Sequence, residues 1–521
     1  MRHAKHSAGR SSPMKPGFLW GVATSAYQSE GGYNLPGQPQ TNWARFERQL
    51  TVAPLGQAAA FWRHYREDFD TCRSMGLSAF RLSIEWSRVQ PTHRNEPAAP
   101  PPFNDEALNQ YAQIIDDCIA RGLEPIVTLH HFVHPAWLGP DPWLNPAAVE
   151  HFGVYVRKVV QHVNQVLISK GKPPVRYFIT INEPNMLVLN TYLGSQFPTS
   201  AERSLLSATT ACNNLLCAHI LAYNCIHDLY EAEAWAKPMV TLNTFTSDLY
   251  WSDKALFDLL AMRERQVHSA DSLDYLRCKA RDFNAVMRDC DVSFRHDLEF
   301  YTGITYRKVC QWTAEYYLSS VTFKAVVERL YESPRSRVMD YLAMDYYDPF
   351  CAHAFRLPRW WDHEYKNRSL RDWITNSVTS KWWDWRVLPK GLRFFCEYYA
   401  RDFGNRPMLI AENGMALRRD LDNRASPRSD QISRSEFLEM HTREIIDMVR
   451  DGVPLFGYMH WSLFDNYEWG TFSPRFGIFS LDYQKGTKRI ATDHCGDCPS
   501  ATYARIIKEV DLSPGVLPRS T

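Results

Sequence analysis

Eight short apolar runs alternate with helical patterns along this chain, and each run ends in polar or ionisable residues. Parallel strands joined by helices produce this alternation, because each helix crosses back over the sheet before the next strand begins. The pattern predicts a single-domain α/β fold, a (β/α)8 TIM barrel, with an active site at the carboxyl ends of the strands. The predicted strands are 18–28, 78–86, 124–132, 176–183, 239–245, 341–347, 406–413 and 454–464.

The intervals between these runs predict the helices and the domain organisation. Apolar residues at helical spacing predict helices over 61–75, 105–120 and 206–233. The long interval 246–340 predicts several helices and a loop over the barrel mouth. Since no repeat, linker or shift in composition marks a second domain, we expect one domain over residues 17–512. A disordered lead-in over 1–16 and a C-terminal tail over 513–521 are expected to flank it.

The composition argues against several classes of partner. Lys and Arg number 59 and Asp and Glu 58, a net charge of +1, which does not favour nucleic acid or an anionic membrane as a partner. The first residues lack the apolar region of a signal peptide, and no apolar run approaches the roughly 20 residues that cross a bilayer. The 12 cysteines are scattered, with a single CxxC at Cys495 and Cys498. We therefore expect a cytoplasmic protein with free thiols.

Two carboxylates stand beside asparagines at predicted strand ends, Glu183 in TINEP and Glu412 in IAENG. A carboxylate in such a place costs free energy unless it is paired or functional. Hydrolysis of a glycosidic bond needs one carboxyl to protonate the leaving oxygen and another to attack the anomeric carbon or activate water. Arg81 and a Tyr hydroxyl would keep a nucleophile ionised, while the charge of the nucleophile would raise the pKa of the acid. The alternative for either Glu alone is an ordinary buried ion pair.

A series of motifs covers nearly the whole chain from Phe18 to beyond Asp482. In order they read FLWGVATSAYQSEG, FRLSIEWSR, TLHHF, TINEP, IAENG and HWSLFDNYEWG. With these motifs the chain resembles glycoside hydrolase family 1, the β-glucosidase and β-galactosidase family. The resemblance implies a (β/α)8 barrel and retaining hydrolysis of β-glycosides without a metal or cofactor.

The resemblance also implies a role for each matching residue. Glu183 matches the acid/base and Glu412 the nucleophile, which Arg81 and Tyr347 would hold and tune. Asn182 matches the residue that binds the sugar 2-hydroxyl. The other implied contacts to the sugar are Gln28, His131, Trp461, Glu468 and Trp469, with Trp385 on the aglycone. An anion at Glu468 would repel a 6-phosphate, so phosphorylated sugars are expected to be disfavoured.

Three departures from the family pattern leave the sugar preference open. Asp345 stands where the family usually has Asn, so it is either protonated or paired with a cation such as Arg81. Phe132 stands where the family often has Trp. The segment between Glu468 and Arg475 is one residue shorter than the commonest pattern.

The adjacent His130 and His131 do not predict a metal site, since neighbours on a strand point to opposite faces. We expect a retaining β-glycosidase that hydrolyses β-glucosides or related β-hexosides through a covalent intermediate. Its partner would be a small-molecule β-glycoside or oligosaccharide, and the sequence makes no prediction of oligomeric state. Two alternatives stay open: a transglycosylase using the same intermediate, and a sugar-binding pseudoenzyme, which Asp345 keeps under consideration.

Overall fold

The computed structural model describes residues 17–92, 100–194, 196–289, 305, 307–313, 315–316, 323–354, 382–419 and 423–510. The predicted lead-in over 1–16 and the predicted tail over 513–521 lie outside the described residues.

Eight parallel strands close into a barrel, which confirms the predicted (β/α)8 fold. The strands follow one another around the barrel in chain order, and the last pairs with the first, Gly457 opposite Leu19. The barrel strands are β1 (Leu19–Ala23), β2 (Ala79–Ser83), β3 (Glu124–Thr128), β4 (Tyr177–Asn182), β5 (Met239–Phe245), β6 (Leu342–Tyr346), β7 (Met408–Asn413) and β8 (Leu455–Trp461). Two small sheets lie outside the barrel, formed by Leu417–Arg419 with Ala425–Ser426 and Pro474–Arg475, and by Ser480–Leu481 with Arg489–Ile490.

Helices of 9 to 28 residues form the outer layer. They are Phe61–Ser74, Asp105–Ala120, Ala147–Ser169, Leu205–Ala232, Lys324–Glu332, Pro389–Asp402, Arg434–Arg450 and Pro499–Glu509. Further helices are Ala26–Glu30, Ala44–Arg48, Trp86–Val89, Pro184–Val188, Lys254–Ala261, Ser272–Asp289 and Cys351–Ala354. The helix Arg434–Arg450 shows how sequence sets a boundary: Ser433 and Glu436 form a reciprocal capping box at its start.

The core has an inner and an outer part because successive side chains of a strand point to opposite faces. On β4, Phe178 packs outward against the helices and Ile179 packs inside the barrel. A register shift between Ile179 and Asn182 interrupts the alternation, so Ile181 also packs outward. The helix Leu205–Ala232 is long and apolar enough to cross a membrane, but 67% of its most apolar window is buried inside the protein. A helix buried in this way is expected in the core of the outer layer, so it is weak evidence for a membrane span.

Six of the eight predicted strands, all but 239–245 and 406–413, extend past the observed carboxyl ends, and two site residues are affected. β1 ends at Ala23, so Gln28 lies on the helix Ala26–Glu30 and not on a strand. β3 ends at Thr128, so His131 lies in the loop that follows. The prediction that both residues belong to strands was wrong, because the helix and the loop that hold them are as deeply buried as the strands that precede them.

Candidate active site

Glu412 lies near the end of β7 and receives two strong hydrogen bonds. Arg81 Nη1 donates to its Oε1 at 2.6 Å, and the Tyr347 hydroxyl donates to its Oε2 at 2.9 Å. Burial raises the pKa of Glu412, and these two donors act against that rise because they stabilise the carboxylate. The predicted neighbours of this carboxylate are therefore in contact with it.

Glu183 directly follows β4 with a backbone φ of 38°, in the left-handed region that non-glycine residues rarely occupy. Its N–H donates to the carbonyl of Asn243 on β5 at 3.0 Å, and the helix Pro184–Val188 begins at the next residue. This turn directs the side chain into the barrel mouth. Burial, followed by the negative charges of Asp345 and Glu412, raises the pKa of Glu183 well above its usual range.

The separation of the carboxyl groups favours one of the two mechanisms of glycoside hydrolysis. One oxygen from each of Glu183, Asp345 and Glu412 lies within 4.8 Å of the others. Retaining enzymes place their two carboxyls about 5 to 5.5 Å apart, and inverting enzymes about 6.5 to 9.5 Å apart. Three carboxylates so close together also form a set that suits a cation, and the Arg81 guanidinium already lies among them, 3.8 Å from Asp345 Oδ1.

Asp345 on β6 is fully buried and held by Asn243. The Asn243 amide donates to Asp345 Oδ2 and, at 2.8 Å, to Asn182 Oδ1. Arg81 Nη1 lies 3.8 Å from Asp345 Oδ1 but 2.6 Å from Glu412 Oε1, so its pairing with Asp345 is the weaker of these two contacts. Burial and the charge of Glu412 raise the pKa of Asp345 well above its usual range.

Gln28 and Glu468 lie side by side, as the resemblance implies. Gln28 Nε2 donates to Glu468 Oε2 at 3.0 Å and to the carbonyl of Tyr467 at 2.9 Å, while Ser25 Oγ donates to Gln28 Oε1 at 2.7 Å. Burial and the charge of Glu412 raise the pKa of Glu468 well above its usual range. A proton on this carboxyl weakens the charge repulsion that the sequence predicts against a 6-phosphate.

His131 lies between two of the predicted sugar-binding tryptophans. Its ring is nearly parallel to those of Trp461 and Trp469, with centroids 5.8 and 5.9 Å away. Burial and the charge of Arg81 lower its pKa well below the usual range, so the imidazole is neutral. His130 instead packs against Trp143 on the outer side, so the two histidines point apart.

Two buried polar atoms of the predicted sugar-binding residues have no partner among the described residues: His131 Nδ1 and Asn182 Nδ2. Buried polar groups normally form hydrogen bonds, and an unpaired one costs about 1 to 3 kcal/mol. A ligand with hydroxyl groups would satisfy both atoms.

Trp385, the predicted aglycone contact, packs beside Tyr347 with ring centroids 5.0 Å apart and beside Phe245 at 5.9 Å. Arg428 Nη2 donates to its carbonyl at 2.6 Å and so ties a distant loop to this tryptophan. Arg428 belongs to the charged stretch 418–434, which the sequence predicts to be a solvated loop at the barrel mouth, with a role in aglycone choice as the alternative. Sequence reasoning missed Asn243, although it carries a signal, a polar amide within the apolar run MVTLNTF.

The family model described as glycosyl hydrolase family 1 matches residues 10–495. The chain belongs to this family. It is accordingly a family 1 β-glycosidase, a glycoside hydrolase, and its closed barrel is the fold expected of that family.

Curated relatives of this family 1 chain differ in the substrates that their names state. A 6-phospho-beta-galactosidase of Clostridium acetobutylicum is 25% identical over 486 residues, covering 90% of this chain and 92% of the relative. Beta-glucosidase 40 of Arabidopsis thaliana is 26% identical over 503 residues, covering 92% of this chain and 90% of the relative. The relatives thus include both phosphorylated-sugar and plain-sugar enzymes.

Solved structures of beta-glycosidases resemble the chain over nearly its whole length. A beta-glucosidase from Thermotoga maritima in complex with noeuromycin matches with a TM-score of 0.63 at 23% identity, covering 95% of this chain and 98% of that one. A beta-glycosidase from Pyrococcus horikoshii matches with a TM-score of 0.59 at 24% identity, covering 94% of each chain. At these identities the likeness supports the fold.

Proposed function

We propose that this family 1 enzyme is a retaining β-glycosidase that hydrolyses β-glucosides or related β-hexosides. In this proposal Glu412 is the nucleophile and Glu183 the acid/base. The observation that carries it is the 4.8 Å limit on the separation of their carboxyl oxygens, which suits the retaining geometry. The unequal environments support the division of roles, because Glu412 accepts from Arg81 and Tyr347 while burial and neighbouring charges favour the protonated form of Glu183.

The proposed reaction has two steps. In the first, a Glu412 oxygen attacks the anomeric carbon as the glycosidic C–O bond breaks, and the Glu183 proton passes to the leaving oxygen. In the second, ionised Glu183 takes a proton from water while the water oxygen attacks the anomeric carbon and Glu412 leaves as a carboxylate. Arg81 and Tyr347 would stabilise that carboxylate at the beginning and end of the cycle.

The surroundings of Glu468 support an unphosphorylated sugar as the substrate. Its carboxyl is buried beside the neutral amide of Gln28, and burial together with the negative charge of Glu412 raises its pKa. A phosphate dianion in this environment would be desolvated beside carboxyl groups, which costs free energy unless a cation pairs with it. The side chain that contacts Glu468 here is the Gln28 amide, which carries no positive charge to pair with a phosphate.

The two alternatives make different predictions from the same site. A transglycosylase would use the same glycosyl-enzyme, with an acceptor hydroxyl in place of water. Added alcohol would then divert product without changing the rate of the first step. A sugar-binding pseudoenzyme would bind glycosides without turnover, although Glu183 and Glu412 are both present and within the required separation.

The test is release of 4-nitrophenol from a panel of 4-nitrophenyl β-glycosides, with 6-phosphorylated forms included. We expect turnover of an unphosphorylated β-glucoside or β-hexoside, abolished in Glu412→Ala. In Glu183→Ala, added azide should restore activity with a β-glycosyl azide as product, since azide attacks the intermediate without base assistance. Folding of each variant is checked by circular dichroism. No turnover by the folded wild-type protein, or an α-configured azide product, would refute the proposal.

A further inference from the structure

One oxygen of the fully buried Asp345 side chain has no donor. Oδ2 is held by the Asn243 amide, whereas Oδ1 receives no hydrogen bond from an N–H or hydroxyl group of the described residues. Buried carboxylate oxygens are normally hydrogen-bonded, and leaving one unpaired is costly. Oδ1 is therefore a buried acceptor that a protonated neighbouring group would satisfy.

Arg81 does not fill this role. Its guanidinium donates to Glu412 Oε1 at 2.6 Å, to the Ala411 carbonyl at 3.0 Å and to Asn182 Oδ1, and its nearest approach to Asp345 Oδ1 is 3.8 Å. One oxygen of the Glu183 carboxyl, by contrast, lies within 4.8 Å of an oxygen of Asp345, and the protonated form of Glu183 has an O–H to donate. A protonated Glu183 is thus the donor that the geometry offers to Asp345.

We propose that Glu183 and Asp345 share one proton in the resting enzyme, with Glu183 donating to Asp345 Oδ1. The proposal rests on the proposed role of Glu183 as the acid/base. Asp345 is then a positioning residue. The hydrogen bond from Asn243 fixes the orientation of the Asp345 carboxylate, and that carboxylate in turn orients the Glu183 carboxyl and keeps it protonated. An Asn at this position would keep the hydrogen bond from Asn243 on the neighbouring strand but carry no charge.

The proton count stays balanced through the reaction. At rest, Glu412 and Asp345 are ionised and Glu183 carries the proton. When Glu412 becomes esterified and Glu183 gives its proton to the leaving oxygen, Glu183 and Asp345 are ionised. The three carboxyls hold the same total charge in both states, and Arg81 faces that charge throughout. Asp345 therefore adds a constant charge that favours a proton on Glu183.

The charged and titratable groups that face Asp345 are Arg81 on β2, Glu183 after β4, Glu412 on β7 and Tyr347 after β6. Like charges raise the pKa of a neighbouring acid, so Asp345→Asn should lower the pKa of both Glu183 and Glu412. The basic limb of the pH profile reports loss of the Glu183 proton, and the acidic limb reports protonation of Glu412. Both limbs should move to lower pH.

The experiment compares kcat/KM against pH for wild type and Asp345→Asn with 4-nitrophenyl β-D-glucoside, or the glycoside that the panel identifies. We expect the basic limb to move down by about one to two pH units. The matched control is Asp340→Asn, which alters a buried carboxylate before β6 that bonds His227, Tyr223 and the Val240 N–H, away from the site. Its limbs should stay in place.

An unmoved or raised basic limb in folded Asp345→Asn would overturn the proposal, as would an equal shift in Asp340→Asn. If Asp345→Asn does not fold, the proposal is tested by NMR titration of the carboxyl signals of wild-type protein labelled with ¹³C at the Glu and Asp carboxyls. The Glu183 signal, identified by its loss in Glu183→Gln, should titrate in step with one Asp signal, because coupled groups share their transitions. Independent titration overturns the shared proton. The azide test of Glu183→Ala probes the acid/base role of Glu183 independently of these measurements. Failure of that role can therefore be distinguished from failure of the shared proton.

Discussion

Tyr347→Phe tests how Glu412, the proposed nucleophile, is kept ionised. The hydroxyl of Tyr347 donates to Glu412 Oε2 at 2.9 Å, and its ring packs against Phe245 and Trp385 with centroids 5.7 and 5.0 Å away. Phe keeps the ring and its packing and removes only the donor. The change therefore isolates one hydrogen bond to the carboxylate.

The expected size follows from the chemistry of that bond. A hydrogen bond to a charged group contributes about 1.5 to 3 kcal/mol, and one pKa unit corresponds to about 1.4 kcal/mol. Loss of the donor should raise the pKa of Glu412 by about one to two units, since burial would then be opposed by Arg81 alone. The acidic limb of kcat/KM should move to higher pH by the same amount, and activity below the limb should fall about tenfold per unit.

The adjacent residue supplies a matched control. The Tyr346 hydroxyl donates to the Leu388 carbonyl at 2.7 Å on the outer side of the barrel, away from Glu412. Tyr346→Phe should lower the melting temperature and leave the acidic limb in place. The assay is the pH dependence of 4-nitrophenyl β-glycoside hydrolysis by both variants. An unmoved or lowered acidic limb in Tyr347→Phe would refute the reasoning, as would an equal shift in Tyr346→Phe.

Other predictions concern recognition, packing and stability. Asn182→Ala should lower kcat/KM for a β-glucoside by about 10- to 100-fold, because Asn182 Nδ2 has no partner among the described residues and would donate to the sugar 2-hydroxyl. The loss should largely vanish with a 2-deoxyglycoside, which lacks that hydroxyl. Gly414→Ala should lower the melting temperature and the activity, since a Cβ there would lie 1.9 Å from the Trp461 carbonyl oxygen. A melting temperature at the wild-type value would contradict this. Burial raises the pKa of Glu85 to about 8, so its contribution to stability is present below about pH 4.5 and is lost as the pH rises towards 8. The free energy of unfolding of Glu85→Gln minus that of wild type should therefore increase by about 3 kcal/mol from pH 5 to pH 8, as measured by denaturant titrations. A difference that does not change with pH would refute the raised pKa of Glu85.

The sequence predicted the fold well because hydrophobic periodicity reports which segments are buried strands and which are helices. The prediction 239–245 matches β5 at both ends, and 105–120 matches its helix. Strand ends were predicted less well. Residues after β1 and β3, including Gln28 and His131, continue the apolar or buried pattern although their backbone has left the sheet. Burial alone does not distinguish a strand from the loop that packs over its end.

The residues of the site were predicted largely through motifs, whereas their geometry was not. No local pattern determines the 4.8 Å limit between the carboxyl oxygens, because that separation depends on how the barrel closes. The same holds for the stack of His131 between Trp461 and Trp469, whose members come from distant parts of the chain. Asn243 was missed for a related reason: its role appears only when its neighbours on adjacent strands are known.

Strand register explains why these polar groups form one coupled unit. Asn182 on β4 stands opposite Asn243 on β5, and Asp345 on β6 stands opposite Glu412 on β7. These pairs lie in one layer at the barrel mouth, and Arg81 reaches them from β2. Carboxyls this close together influence one another's titration, so a change at one of them shifts the pKa of the others. A carboxyl in place of an amide at position 345 therefore adds a titratable group to the layer that contains Glu412 and faces Glu183.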